Sequence, residues 1–253
     1  MRWVALLSVV ACSSVDPSAS AESDLAGDLA TEIKVQIDVN DLGKLGLSTT
    51  GGERRDVTFY DTTDLDLFAS GVILRSRLAV SSPDDDTTVK LRPLSAKSVD
   101  PSFIGESGFK CELDKNVGMT AVSSCSLTKP EPEKDILAVG GGTSSAKSLF
   151  SSSQEDFLTA HGKNVSWSSL RVLGPIDGRV WKIDPKNWKS ELTVERWIVP
   201  GGSTSLEVSL KTRWADHVTE EKRLVAWLAA HGVQPSSQQE TKTKAALVAL
   251  AAQ

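Results

Sequence analysis

From Glu32 the chain reads Glu-Ile-Lys-Val-Gln-Ile-Asp-Val, an alternation of period two that places Ile33, Val35, Ile37 and Val39 on one face and Glu32, Lys34, Gln36 and Asp38 on the other. That is the pattern of a strand with one buried side. It recurs where Val72 and Leu74 oppose Arg75 and Arg77, where Val89 and Leu91 oppose Lys90 and Arg92, and where Phe109, Cys111 and Leu113 oppose Lys110, Glu112 and Asp114. Leu192 and Val194 alternate with Glu191, Thr193 and Glu195, and Leu206, Val208 and Leu210 with Glu207, Ser209 and Lys211.

Six strands of this kind suit an open antiparallel sheet whose polar side meets water. The alternative is a sheet closed with its polar side inward. The charges are segregated by strand, with Arg or Lys pairs on some and acid-rich pairs on others. Closure would therefore create a lumen carrying both signs, matched to a polyanion.

Helical signals are fewer. Asp64 to Ser70 reads as a short helix stopped by Gly71, with Thr62 or Thr63 as its cap. Ser152 to Gly162 has a capping-box spacing from Ser152 to Glu155. Residues 216–231 carry an apolar stripe of Val218, Leu224, Val225, Trp227 and Leu228, and a last helix runs over 241–252. All are expected to pack on outer apolar faces.

With 253 residues and a net charge of -5, the chain has room for one barrel-sized domain. It lacks the basic excess of a general nucleic-acid binder, so no nucleic-acid partner is expected and any anion site must be local. The run from Trp3 to Ala11 is too short to span a bilayer and reads as a signal segment. Val9-Val10-Ala11-Cys12 resembles a lipobox, predicting a leader over 1–11, lipidation of Cys12, a flexible tether over 12–30 and a domain over 31–253. A cut after Ala21 would instead release a soluble secreted protein. Cys111 and Cys125 are candidates for a disulfide in an exported chain, with two buried thiols as the alternative.

Three other signals carry less. Gly140-Gly141-Gly142 lacks the Lys-Ser/Thr ending of a P-loop, Asp84-Asp85-Asp86 reads as a solvated hairpin turn, and the three histidines show no metal spacing.

The order of the pieces resembles the CYTH superfamily, the triphosphate tunnel metalloenzymes, over nearly all of 31–250. The most specific stretch is Phe59-Tyr-Asp-Thr-Thr-Asp-Leu-Asp-Leu-Phe-Ala-Ser-Gly-Val-Ile-Leu-Arg-Ser-Arg77, similar to the family's strand, short helix, Gly, and strand with two inward Arg. Thr88-Val-Lys-Leu-Arg92, Lys110-Cys-Glu-Leu-Asp114, Arg179-Val-Trp-Lys182, Glu191-Leu-Thr-Val-Glu195 and Leu206-Glu-Val-Ser-Leu210 follow in family order.

The resemblance implies an α+β fold, a closed antiparallel β-barrel of about eight strands forming a tunnel, with a few helices packed outside. It implies a small triphosphate or polyphosphate as ligand. Glu32, Glu112, Glu195 and Glu207 would be the catalytic acids, and Glu32, Glu195 and Glu207 would hold Mg²⁺ or Mn²⁺. Lys34, Arg75, Arg77, Lys90, Arg92 and Arg179 would grip phosphate. The sequence departs from the family where its opening Glu-x-Glu-x-Lys is here Glu32-Ile-Lys34-Val-Gln36 and where Ser209 replaces the second acid of a pair. Losing charged oxygen ligands weakens hard-cation binding. A metal-dependent triphosphatase and a non-catalytic polyanion-binding lipoprotein are both open on this reading.

Overall fold

The structure, a computed structural model, describes residues 28–80 and 82–253. The leader, Cys12 and most of the tether lie outside the described residues. Among these residues the strands are β1 (Ala30–Ile37), β2 (Glu53–Asp61), β3 (Val72–Ala79), β4 (Asp86–Leu91), β5 (Phe109–Asn116), β6 (Val122–Pro130), β7 (Arg171–Ile183), β8 (Leu192–Ile198) and β9 (Thr204–Arg213). They close into one barrel in the order β1-β5-β6-β4-β3-β2-β7-β8-β9.

The barrel is antiparallel at every contact except β1 with β5, which is parallel. The expectation of an antiparallel barrel of about eight strands thus becomes a mixed barrel of nine. A parallel pair needs a long crossover, and here β2, β3 and β4 lie in sequence between the two partners.

Among the described residues five α-helices accompany the barrel: α1 (Asp66–Ala69), α2 (Glu133–Gly140), α3 (Ser152–Ala160), α4 (His217–Ala230) and α5 (Lys242–Ala251). No described helix is long and apolar enough to cross a membrane. Apolar strand positions point outward and are covered in two places. Leu74, Val89, Leu91 and Leu127 pack with Ile136 and Val139 of α2 and Phe157 and Leu158 of α3. Ile33, Val35, Val194 and Val208 pack with Leu224 and Leu228 of α4. Burying faces of this size supplies most of the stabilisation, at about 25 cal/mol per Å² of apolar surface.

The α5 helix sits differently. Its Ala246, Leu247 and Leu250 pack on Val57, Phe59 and Trp197, and Phe59 and Trp197 also line the lumen. α5 therefore closes one part of the barrel interior and brings its first turn to the charged cavity.

Several local expectations shift. β1 ends at Ile37, and Asp38 instead caps a 3-10 turn over Val39–Leu45 by accepting from the Asn40 N–H. The α3 capping box is formed by Ser151 and Gln154, one residue earlier than the spacing from Ser152 suggests. Asp61 rather than a threonine closes the α1 entry, its buried carboxylate accepting from the N–H groups of Thr62, Leu67 and Phe68. Thr62 assists by accepting from the Asp66 N–H. Asp86 is no solvated turn residue, because it pairs in register with Arg77 inside β4.

Cys111 and Cys125 face each other across β5 and β6 and are joined by a disulfide. Gly71, at φ +82°, lies where a Cβ would come within 2.5 Å of the Arg92 carbonyl. Only a residue without a side chain fits that turn, which ties the start of β3 to the end of β4.

Candidate functional site

Alternation now has a direction. Because outward positions carry the apolar residues, the charged partners on each strand turn inward and line an enclosed cavity of about 210 Å³. Eight cationic and four acidic side chains line it, so the lumen is locally positive inside a chain of net charge -5.

One wall is acidic and already neutralised. Parallel pairing sets Glu32 beside Asp114. Lys34 Nζ stands 2.9 Å from Glu32 and 2.5 Å from Asp114, whose side chain is fully buried. Lys90 Nζ lies 2.8 Å from the other Asp114 oxygen and 3.4 Å from Glu112, and Lys110 Nζ is 2.8 Å from Glu112. Burial pushes the Glu32 carboxyl up, but the Lys34 ammonium outweighs it and carries the group down to about 2. Asp114 is likewise raised by burial and held well below the ordinary carboxylate range by Lys90, Lys34 and Arg92. Burial would lower Lys34, yet Asp114 and Glu32 hold it well above the usual amine value.

A second acidic pair lies on the adjoining strands. Glu195 and Glu207 are directly opposed across β8 and β9. Lys242, from the first turn of α5, bonds both: its Nζ lies 2.8 Å from Glu207 and makes a short contact with Glu195. Gln36 Nε2 donates to Glu207 at 2.6 Å, and Trp197 Nε1 donates to Glu195 at 2.7 Å. Burial raises the Glu195 carboxyl, and Lys242 more than reverses it.

The cationic wall is less satisfied. Arg77 is engaged by Asp86, with Nε 3.0 Å and Nη2 2.5 Å from Oδ2. Arg75 is different. Its buried Nε has no hydrogen-bond partner, and its Nη2 has only a 3.4 Å contact with Thr88 Oγ1. Burial, followed by the like charge of Arg77, lowers it to about 10, so it stays charged at neutral pH. Arg92 approaches an acid no closer than 3.8 Å, at Asp114. A buried guanidinium with spare donors is costly unless an anion meets it.

The structure thus gathers Glu32, Lys34, Arg75, Arg77, Lys90, Arg92, Glu112, Glu195 and Glu207 around one cavity. Arg179 is the exception. It follows Gly178 on β7 in the same outward sense as Trp181, and its Nη1 bonds the carbonyls of Thr50 and Gly51. The expectation that it grips phosphate is corrected for that reason.

The expected ligand set Glu32, Glu195 and Glu207 is also not gathered. Glu207 is in register with Gln36, four residues along β1 from Glu32, or about 13 Å at the rise of a strand. Among the described residues, the acids close enough to share one ion are Glu32, Glu112 and Asp114, with oxygens within 4.8 Å of one another. The donors are the right kind for a hard divalent cation, but Lys34 and Lys90 already sit among them. A metal held there would share these oxygens with the two ammoniums.

Sequence reasoning left out two principal members of the site. Asp114 was legible from its place two residues after Glu112 on the lumen face. Lys242 carried no signal, because a lysine at the start of a helix is normally solvated.

No family model matches the sequence, and no curated protein is similar to it at the level of sequence. Solved structures do match. One is a candidate adenylyl cyclase from Hippeastrum, described as having a dominant triphosphatase activity, with 17% identity, a TM-score of 0.59, and coverage of 85% of this chain and 93% of that one. Another is a candidate adenylate cyclase from Bacillus halodurans, with 13% identity, a TM-score of 0.57, and coverage of 87% and 98%. The closed barrel with helices outside is therefore a fold shared with these two proteins.

Proposed function

We propose that the lumen binds the phosphate chain of a small triphosphate, held by Arg75 and Arg92 while Lys34 and Lys242 offset the charge of the carboxylates. The observation that carries this reading is Arg75, a half-buried cation whose buried Nε lacks any hydrogen-bond partner while the side chain lines a cavity. An entering anion would supply the missing charge-assisted hydrogen bonds, which are shorter and stronger than neutral ones. Calorimetry of the full chain with tripolyphosphate, with and without EDTA, tests it. Salt-sensitive binding that survives EDTA is expected, and absence of binding overturns it.

A second reading, metal-dependent hydrolysis of the bound triphosphate, is favoured by the cluster of Glu32, Glu112 and Asp114 and by the triphosphatase activity described for the Hippeastrum protein. Mg²⁺ or Mn²⁺ on those oxygens would supply Lewis-acid polarisation of a phosphoryl oxygen. The chain's own part would be to orient the chain on Arg75 and Arg92 and to balance transition-state charge. Phosphate release that requires added Mg²⁺ or Mn²⁺ and falls to background in Glu112→Gln would establish this reading over binding alone.

The N-terminal reading belongs to the same proposal: an exported, lipid-anchored protein of a bacterial envelope, attached through Cys12. The Cys111–Cys125 disulfide supports an oxidising compartment, where such bonds persist. Cys12→Ser should abolish palmitate labelling and detergent-phase partitioning. Aqueous-phase partitioning of the wild type would refute the anchor.

A further inference from the structure

Arg179 has no part in the lumen, and the outside of the barrel gives it another role. Arg54 of β2 is in register with Arg179 of β7, and Arg179 is in register with Arg196 of β8. One row of guanidiniums therefore crosses three neighbouring strands on the face opposite the lumen. Like charges directly opposed on adjacent strands are destabilising, so the row is unfavourable unless something neutralises it.

Carboxylates neutralise only one end. Arg54 is held by Asp56, with Nη2 2.9 Å from Oδ2, and its Nε stands 3.8 Å from Asp177. Arg179 spends Nη1 on the carbonyls of Thr50 and Gly51 and meets no carboxylate among the described residues. Arg196 has neither a hydrogen bond nor an ion pair among them. Its Nε is buried without a partner, and its Cζ lies 5.9 Å from the centre of the Trp181 ring. Trp181 connects the two arginines. Its Nε1 is a second buried donor without a partner, and it lies against Gly51, where a Cβ would come within 3.3 Å of it. Arg179 and Arg196 are both half-buried, and unmet donors in such places call for an anion or water.

The donors left over select the kind of anion. A carboxylate has two oxygens and saturates one guanidinium fork. Two forks rooted on neighbouring strands, with Cα atoms about 5 Å apart, are met together only by a group with more terminal oxygens. A phosphodiester headgroup offers no more than a carboxylate does. A terminal phosphate or a sulfate offers enough, and its double charge matches two unpaired cations. Asp177 shares this face two residues before Arg179, which disfavours a second anion.

We propose that Arg179 and Arg196 form an exterior site for one tetrahedral oxyanion, a terminal phosphate or sulfate group. The site lies on the other side of the barrel wall from the lumen and does not depend on how the lumen is read. Being open to solvent and screened by salt, it binds more weakly than an enclosed site, so tripolyphosphate fills the lumen first.

The test is a titration of the isotope-labelled full chain with sodium phosphate, sulfate, acetate and chloride at matched ionic strength. The readout is the Trp181 indole N–H resonance, identified by its loss in Trp181→Phe. Phosphate and sulfate should move it saturably, and acetate and chloride should not. Arg179→Gln and Arg196→Gln should each weaken phosphate at least tenfold at this resonance. Arg179→Lys, which keeps the charge and loses the fork, should weaken it nearly as much, while Arg75→Leu should leave it within twofold. Circular dichroism checks folding, and if one variant unfolds, those that stay folded decide. A resonance that does not move in phosphate, that moves equally in acetate or chloride, or that keeps its response in a folded Gln variant overturns the site. A response lost in Arg75→Leu also overturns it, by assigning the signal to the lumen. Recruitment of the Cys12→Ser chain to phosphatidylglycerol vesicles, abolished by Arg196→Gln, would overturn the terminal-phosphate assignment in favour of a lipid headgroup.

Discussion

Lys34 reaches Asp114 across the parallel seam between β1 and β5, with Nζ 2.5 Å from Oδ1. Asp114 is wholly buried, so this pair holds together the strand that opens the barrel and the strand that closes on it. Breaking one partner of a buried pair costs about 3 kcal/mol, because it strands the other charge. Lys34→Met should lower unfolding free energy by that amount in urea titrations. Lys34→Glu should do more, leaving four acids around the Asp114 site and making the thermal midpoint rise steeply with added Mg²⁺.

Acid should unfold the protein through the same seam. The Glu32 carboxyl is depressed from 4.5 to about 2, and Asp114 is also depressed. Groups lowered in the folded state contribute stability that is present above their unfolded values and lost as pH falls through the folded ones. Denaturant midpoints should therefore be level above about pH 5 and decline between about 4.5 and 2, with Glu32 alone contributing roughly 3 kcal/mol at neutral pH. In Glu32→Gln this part of the decline should disappear.

Arg75 should trade stability against binding. Its buried, half-satisfied guanidinium is costly in the empty lumen. Arg75→Leu is expected to raise unfolding free energy by about 1 kcal/mol while weakening tripolyphosphate by about tenfold to a hundredfold, the worth of hydrogen bonds to a charged group. A variant that loses stability and keeps affinity would show that Arg75 serves the fold and not the ligand.

Arg179→Ala should leave tripolyphosphate affinity within twofold of wild type, since its contacts are to backbone carbonyls outside the lumen. A tenfold loss would place Arg179 in the anion path.

The disulfide lies on the outer layer, with Cys125 in the core beneath α2 and α3. It closes a loop with a sequence separation of 14 residues, for which chain entropy gives about 3 kcal/mol. Reduction, or Cys111→Ser/Cys125→Ser, should lower unfolding free energy by about that much. Anion affinity should be unchanged.

Period-two alternation marked which way β1, β3, β4, β5, β8 and β9 face, because every residue of those strands is constrained by one buried side. It did not mark β6, where the lumen positions Ser124, Ser126 and Thr128 are uncharged and the stretch lacks contrast between polar neighbours. Local pattern also does not encode which strands meet. The parallel seam, and with it the closeness of Glu32 to Asp114, depends on pairing between strands 82 residues apart in register. Likewise Arg179 alternates with apolar neighbours as lumen residues do, yet β7 turns this charge outward, in the same sense as Trp181. Lys242 was hidden for a related reason. A helix that opens Lys-Thr-Lys before a run of Ala, Leu and Val gives no sign that its head enters a barrel.

The topology also sets an order of assembly. β1 is made first but is completed only by β9, and α5 follows β9 in the chain. Until residues 204–213 are available, β1 has one unpaired edge and Glu207 has not met Gln36. Contacts of such long sequence separation form slowly. The lumen is therefore built as a vessel whose last stave comes from near the end of the chain, and whose stopper, carrying Lys242, comes after it. A nascent or truncated chain ending before β9 would expose its charged interior to any passing polyanion, with the wall open and the internal counter-ion absent.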